Sequence, residues 1–185
     1  METYVSTDVE TDGPIPGRNS MLSLGSAAFD GAGNLLGTFS VNLHQLPDAT
    51  PNESTMKWWG ENREAWAAHR VDPEYPGPAM HAYCAWLEAL PGKKVFVGYP
   101  AGFDFTFVYW YLMAFAGKSP FGFQALDMKT YAMARLGCGF KDSVKGQWPK
   151  KWFPVGKKHS HIAVEDAIEQ GHIFIAMLRE RRMQE

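Results

Sequence analysis

Apolar and polar positions follow two different periods along this chain. Between Tyr4 and Gly13 (Tyr4-Val5-Ser6-Thr7-Asp8-Val9-Glu10-Thr11-Asp12-Gly13), β-branched and aromatic residues interleave with polar ones and predict a strand. Gly13-Pro14 ends it. Met21 to Phe29 and Leu35 to Leu43 read as two more strands. The turn-forming run Asp30-Gly31-Ala32-Gly33-Asn34 joins them into an antiparallel hairpin. The period then becomes helical. Roughly Ser54 to His69 places Met56, Trp59, Ala65 and Trp66 around one side, and roughly Pro78 to Leu90 does the same with Met80, Tyr83, Trp86, Leu87 and Leu90. Pro91-Gly92 closes the second helix, and Lys94 to Tyr99 reads as a short buried strand. A nearly all-apolar helix is predicted over Phe103 to Ala116, a strand over Phe123 to Leu126 and a helix from Asp127 or Met128 to Leu136. The last helix is predicted from near Ser160 to about Arg182. Three antiparallel strands followed by alternating helices and strands imply a mixed five-stranded sheet flanked by helices, an α/β three-layer domain occupying residues 1–185 as a single unit.

Composition narrows the class. The 185 residues are 45% apolar and 14% aromatic, enough for a sizeable core. The longest apolar run, Phe107 to Gly117, has 11 residues and is too short to span a bilayer. The first residues lack a basic segment followed by an apolar one, so no signal peptide is expected. Cys84 and Cys138 have no metal-type spacing, and reduced thiols in a cytoplasmic protein are the expectation. The formal net charge of −2 conceals an asymmetry: residues 1–92 carry 4 Lys/Arg and 12 Asp/Glu, residues 93–185 carry 14 and 8. An acidic half facing a basic half suits a metal held by one side and a polyanion by the other, although differently solvated faces give the same count.

The chemistry concentrates in three places. On a strand, Asp8 and Glu10 leave the same face about 7 Å apart, where two carboxylates stay ionised together only if cations sit between them. Oxygen ligands favour Mg²⁺ or Mn²⁺; an edge strand with a solvated acidic face is the competing reading. Asp104 follows the strand-to-helix turn Gly98-Tyr99-Pro100-Ala101-Gly102, where open α/β sheets place ligand-binding groups. Its neighbours Phe103, Phe105, Phe107, Val108 and Trp110 are apolar, so it needs a partner, though an acid in a first helical turn is also common for the dipole alone. His161 and Asp166 open the last helix. With the other acids they are suited to a two-ion site in which a His takes the proton of the attacking water. Taken one at a time, each is equally an ordinary helix-terminal residue. Phe140 to Lys158 adds Lys141, Lys145, Lys150, Lys151, Lys157 and Lys158, interleaved with Trp148, Trp152 and Phe153. Lysines neutralise phosphates and indole rings stack on bases, so Lys157, Trp148 and Trp152 are expected to touch nucleic acid; a solvated loop with its aromatics turned inward is the alternative.

Asp8-x-Glu10, Asp104 in Gly98-x-x-x-x-Phe103-Asp104, and His161-x₄-Asp166-Ala167 resemble, in order, the three motifs of the DEDDh 3′–5′ exonucleases, which include polymerase proofreading subunits and ribonuclease T. Ile162 stands where the tyrosine-type branch would have Tyr. The resemblance implies a ribonuclease H-like fold. It implies Asp8, Glu10, Asp104 and Asp166 as ligands of two Mg²⁺ or Mn²⁺ ions, His161 as general base, and substrate contacts at Thr11 and Phe103. Asp127 matches a recurrent acid of the family. The second motif usually reads Gly-His-Asn-x-x-Phe-Asp, and here Tyr99-Pro100 replaces His-Asn, removing an amide side chain and a backbone donor. Thr55-Met56-Lys57-Trp58-Trp59 is weakly similar to a Thr-x-x-Trp-Trp helix of phage and mycobacterial exoribonucleases. The expected activity is metal-dependent removal of nucleoside 5′-monophosphates from the 3′ end of single-stranded DNA or RNA, away from membranes and with homodimerisation open. The alternatives are a small-nucleotide hydrolase or phosphatase on the same carboxylates, and a degenerate nucleic-acid-binding module.

Overall fold

A computed structural model describes residues 1–154 and 161–182. Five strands form one sheet in the order β3-β2-β1-β4-β5: β1 (Glu2–Thr11), β2 (Met21–Asp30), β3 (Leu35–Asn42), β4 (Lys93–Gly98) and β5 (Ala125–Asp127). β1 is central, antiparallel to β2 and parallel to β4. The sheet is mixed, as the order of elements implied.

The strand lengths decide where the site lies. β1 pairs with β4 only from Glu2 to Ser6, whereas its pairing with β2 continues to Thr11. Asp8 and Glu10 therefore stand on the part of the central strand that outruns its parallel neighbour. A crevice at the carboxyl ends of parallel strands is the result.

One face of the sheet carries Val5, Val9, Leu24 and Ala28 against Met80, Tyr83 and Leu87 of α3 (Pro76–Ala89) and Phe107, Val108 and Tyr111 of α4 (Ala101–Tyr111). The opposite face packs on α5 (Met128–Leu136) and α6 (Ala163–Arg182) through Val97, Met128, Ala132, Ile173, Phe174 and Met177. Tyr4 meets this second layer, and by the two-residue period Asp8 and Glu10 point to the same side.

Where elements begin and end follows from capping. The helix expected over residues 54–69 is two, α1 (Glu53–Glu61) and α2 (Arg63–Ala68). Asn62 separates them: its backbone N–H and side-chain amide both donate to the Trp58 carbonyl, at 3.1 and 2.9 Å, replacing the next helical turn. Asn52 caps α1 by accepting from the Thr55 backbone N–H at 3.1 Å. α3 starts two residues earlier than expected, at Pro76, a residue suited to a first helical position. The apolar helix starts at Ala101 and loosens into a π-helical turn over Leu112–Ala116 before Gly117 ends it at φ 71°. β5 is shorter and later than expected, and α6 begins at Ala163; the expected start near Ser160 lies outside the described residues.

Two glycines seat α6 on the sheet. A Cβ on Gly25, which faces Asp8 across the β1–β2 ladder, would lie 2.1 Å from the Val164 nitrogen and 2.2 Å from the Ala163 carbonyl carbon. A Cβ on Gly171 would lie 2.1 Å from the Phe29 ring. Backbone is a poor thing to displace. Gly25→Ala is expected to cost about 1–3 kcal/mol, lowering the melting temperature by roughly 2–10 °C, and to cost more activity than stability by pushing the start of α6 away from β1. Gly77→Ala, where nothing lies within 4 Å of the added methyl, is expected to be neutral or stabilising. Thermal unfolding of both variants checks this; equal melting temperatures would contradict it.

Candidate active site

A cleft of about 530 Å³ opens where β1 outruns β4, lined by Asp8, Glu10, Tyr99, Pro100, Phe103, Asp104, Lys145, His161, Glu169 and Gln170. Asp8 accepts a hydrogen bond from Gln170 Nε2 of α6 at 3.0 Å. Asp104, in the first turn of α4, is 3% exposed and accepts from the Val9 backbone N–H. Its Oδ2 is buried without a hydrogen-bond partner, and it lies 3.2 Å from where a Gly98 Cβ would be. Gly98 thus admits the carboxylate to the strand end. Asp166, 1% exposed, sits in the first turn of α6. Ligand atoms of Glu10, His161 and Asp166 lie within 4.8 Å of one another.

These acids cannot all be charged together without help. Burial, then the charges of Asp8 and Asp166, push Glu10 up to about 9. Burial raises Asp104 well above the usual carboxylate range; Asp8 and Glu10 add to that, while the Val9 N–H and Lys145 oppose it. A dense set of hard oxygen donors, one with an orphaned buried oxygen, fits divalent cations. Asp12, just past the end of β1, is different: its oxygens accept from the Ser20 backbone N–H at 2.6 Å and from Gln45 Nε2 at 2.9 Å, fastening the loop after the strand.

The five motif residues Asp8, Glu10, Asp104, His161 and Asp166 are brought together, and Phe103 lines the same cleft. Thr11 is buried, and its carbonyl accepts from Trp59 Nε1 at 2.9 Å. Asp127 has an architectural position, capping α5 through the Thr130 N–H at 2.7 Å and accepting from the Ala101 N–H at 2.9 Å, so that it ties α4 to α5. Stacking of bases on Trp148 and Trp152 is corrected by the structure. The rings are 4% and 3% exposed, packed beside Val97, Ile173 and Phe174, with Trp152 Nε1 donating to Glu180 Oε2 at 2.5 Å. Indole area in a basic loop is more stable inside than in water, and here it anchors the loop to the core. Lys157 lies outside the described residues.

Three contributors were missed. Gln170 was readable as the residue four after Asp166, on the same helical face. Lys145 was one lysine among six, and only folding selects it. Among the described residues it is the sole Lys or Arg lining the cleft, with its Nζ 4.9 Å from the Tyr99 ring centre and its backbone N–H donating to the Tyr99 hydroxyl at 3.2 Å. Trp58 lies edge-on to the His161 ring, centroids 5.0 Å apart.

No protein-family model matches the chain. It is 37% identical over 178 residues to the 3′–5′ DNA exonuclease Cap18 of Escherichia coli, covering 94% of this chain and 90% of that protein. Among solved structures, the nuclease domain of 3′hExo, a DEDDh family member bound to rAMP, superposes with a TM-score of 0.71 at 8% identity, over 96% of this chain and 92% of that one. S. pombe Pop2p in its Mg²⁺- and Mn²⁺-bound form gives 0.68 at 15% identity, over 97% and 84%. The zinc-bound E. coli ExoI–ssDNA complex gives 0.67 at 18% identity, over 100% of this chain and 41% of that one. These structures establish the ribonuclease H-like fold, and the 37%-identical relative gives the assignment: the chain belongs to a family of 3′–5′ exonucleases, with the Asp8-x-Glu10, Asp104 and His161-x₄-Asp166 motifs in place.

Proposed function

We propose that the chain removes nucleotides one at a time from the 3′ end of single-stranded DNA, with Asp8, Glu10, Asp104 and Asp166 holding two divalent ions, Mg²⁺ or Mn²⁺, and His161 acting as general base. The observation that carries this reading is the meeting of those carboxylates and one imidazole in the crevice past the end of β4. DNA is chosen because the 37%-identical relative is named a DNA exonuclease.

Bound ions would supply Lewis-acid stabilisation at the attacking and leaving oxygens. The remaining work falls to side chains. His161 accepts the proton of the water that attacks phosphorus. The bond from phosphorus to the 3′ oxygen of the penultimate nucleotide breaks, releasing a nucleoside 5′-monophosphate and a strand one residue shorter. Phe103 offers an apolar surface to the terminal nucleotide, and Lys145 meets a phosphate oxygen.

A 5′-labelled single strand should give a ladder, and a covalently closed circle should resist; efficient cleavage of the circle would show an endonuclease. Asp8→Asn should abolish turnover without unfolding the protein, and His161→Ala should slow it by about 10²–10⁴-fold. Lys145→Met should weaken binding and reduce the slope of log affinity against log salt by roughly 0.7, one phosphate contact on a single strand; an unchanged slope would remove Lys145 from the phosphate.

The acids also set a pH dependence. Glu10 and Asp104 bind protons more tightly folded than unfolded, so in metal-free protein they stabilise the fold at low pH. Glu10's share is lost as pH rises from about 4.5 towards 9, and Asp104's is lost in the same direction. A divalent ion displaces those protons, so its stabilising effect should grow across the same window. The melting-temperature gain with Mn²⁺ should be larger near pH 8 than near pH 6; a gain independent of pH would mean the ion binds elsewhere.

A further inference from the structure

His161 occupies an unusual place in the backbone. Its φ is 55°, in the left-handed region that is unfavourable for a non-glycine residue, and the residue is only half-buried. A base must nevertheless be held within a fraction of an ångström of its productive position. Trp58 of α1 and the C-terminal cap of α2 meet it there, with Trp59 behind the cap.

His69, the residue that caps α2, is 2% exposed, and its ring donates a hydrogen bond to the His161 backbone carbonyl. The Trp59 ring lies edge-on to His69 at 5.1 Å, and Trp59 Nε1 donates to the Thr11 carbonyl at the end of β1, one residue past Glu10. Trp58, 38% exposed, covers the His161 ring from the solvent side. A continuous set of contacts thus runs from the acid-bearing strand through Trp59 and His69 to the backbone of His161, with Trp58 against its ring. The groups that act on His69 electrostatically are His161 itself, Arg70 and Asp166. Burial, the largest influence, holds its pKa down, so near neutral pH the ring is uncharged and keeps the single N–H that this bond uses.

We propose that His69 is a positioning residue for the reaction: with Trp58 and Trp59 it clamps His161 in the orientation from which that residue takes the proton of the attacking water. The break between α1 and α2 at Asn62 then has a purpose. It turns the chain so that His69 reaches the His161 backbone while Trp58, still in α1, stays against the His161 ring. The clamp rests on the reading of His161 as the general base, and the experiment separates the two.

Turnover is measured on a single-stranded oligonucleotide with saturating Mg²⁺ for His161→Ala, His69→Phe, His69→Gln and the double variant His69→Phe/His161→Ala. A fully active His161→Ala would overturn the general-base reading and the clamp with it. With His161→Ala impaired, His69→Phe should lower kcat by about 10–100-fold, as residues that orient a catalytic group do, while KM and the Mg²⁺-induced rise in Tm stay unchanged. His69→Gln, which keeps a donor, should recover most of the loss. The double variant should be no slower than His161→Ala, because a positioning residue has nothing left to position. The deficit of His69→Phe should also shrink as pH rises and hydroxide replaces the base. Additive losses, a change confined to KM, or a deficit independent of pH would overturn the clamp. If His69→Phe does not fold, Trp58→Leu at the half-exposed ring carries the same test, with a kcat loss that vanishes in the His161→Ala background; a loss confined to KM would place the Trp58 ring on a base of the substrate instead.

Discussion

Four carboxyl groups gathered at the end of a buried strand repel one another, and most of the distinctive features of this molecule exist to hold them there. Asp8 and Glu10 share a face by strand geometry alone. Asp104 reaches them because Gly98 leaves room and the Val9 N–H receives it. Asp166 reaches them because Gly25 and Gly171 let α6 lie directly on the sheet. Without cations, burial first and the neighbouring carboxylates second push Glu10 and Asp104 far up, so the cluster holds protons instead. A site stabilised by whatever neutralises it, protons or metal, is poised to bind one in exchange for the other.

The fold is shared with the 3′hExo nuclease domain at 8% identity. A parallel neighbour that stops short, small residues under the incoming helices and acids at three fixed places define the crevice. The rest of the core can be rebuilt from other apolar residues of similar volume. Here it is unusually aromatic, with Tyr83, Tyr111, Phe96, Phe107 and Phe174 fully buried. Tyr99 carries Lys145 beside its ring, where the family's second motif usually has other side chains.

The sheet and the five motif residues were legible in the sequence because each rests on a local rule. The two-residue period puts Asp8 and Glu10 on one face, a glycine-rich turn marks the strand end before Asp104, and the first turn of a helix places Asp166. What was not legible depends on tertiary choice. Trp148 and Trp152 were read as a stacking surface from their lysine neighbours, yet the burial of indole area decides their place, and they serve the site only by anchoring the loop that delivers Lys145. The single helix expected over residues 54–69 is broken by Asn62, whose amide competes with the helical hydrogen bonds. That break lets His69 join Trp58 at His161, contacts between residues roughly ninety to a hundred positions apart that no local pattern announces.

The central claim is that the Asp8, Glu10, Asp104 and Asp166 carboxylates form one cage for two ions. Anomalous diffraction from a crystal soaked in Mn²⁺ tests it most directly. Two peaks roughly 3.5–4 Å apart, within coordination distance of those four side chains and beside His161, are predicted. No peak in the crevice, or peaks on other acidic residues, would contradict it.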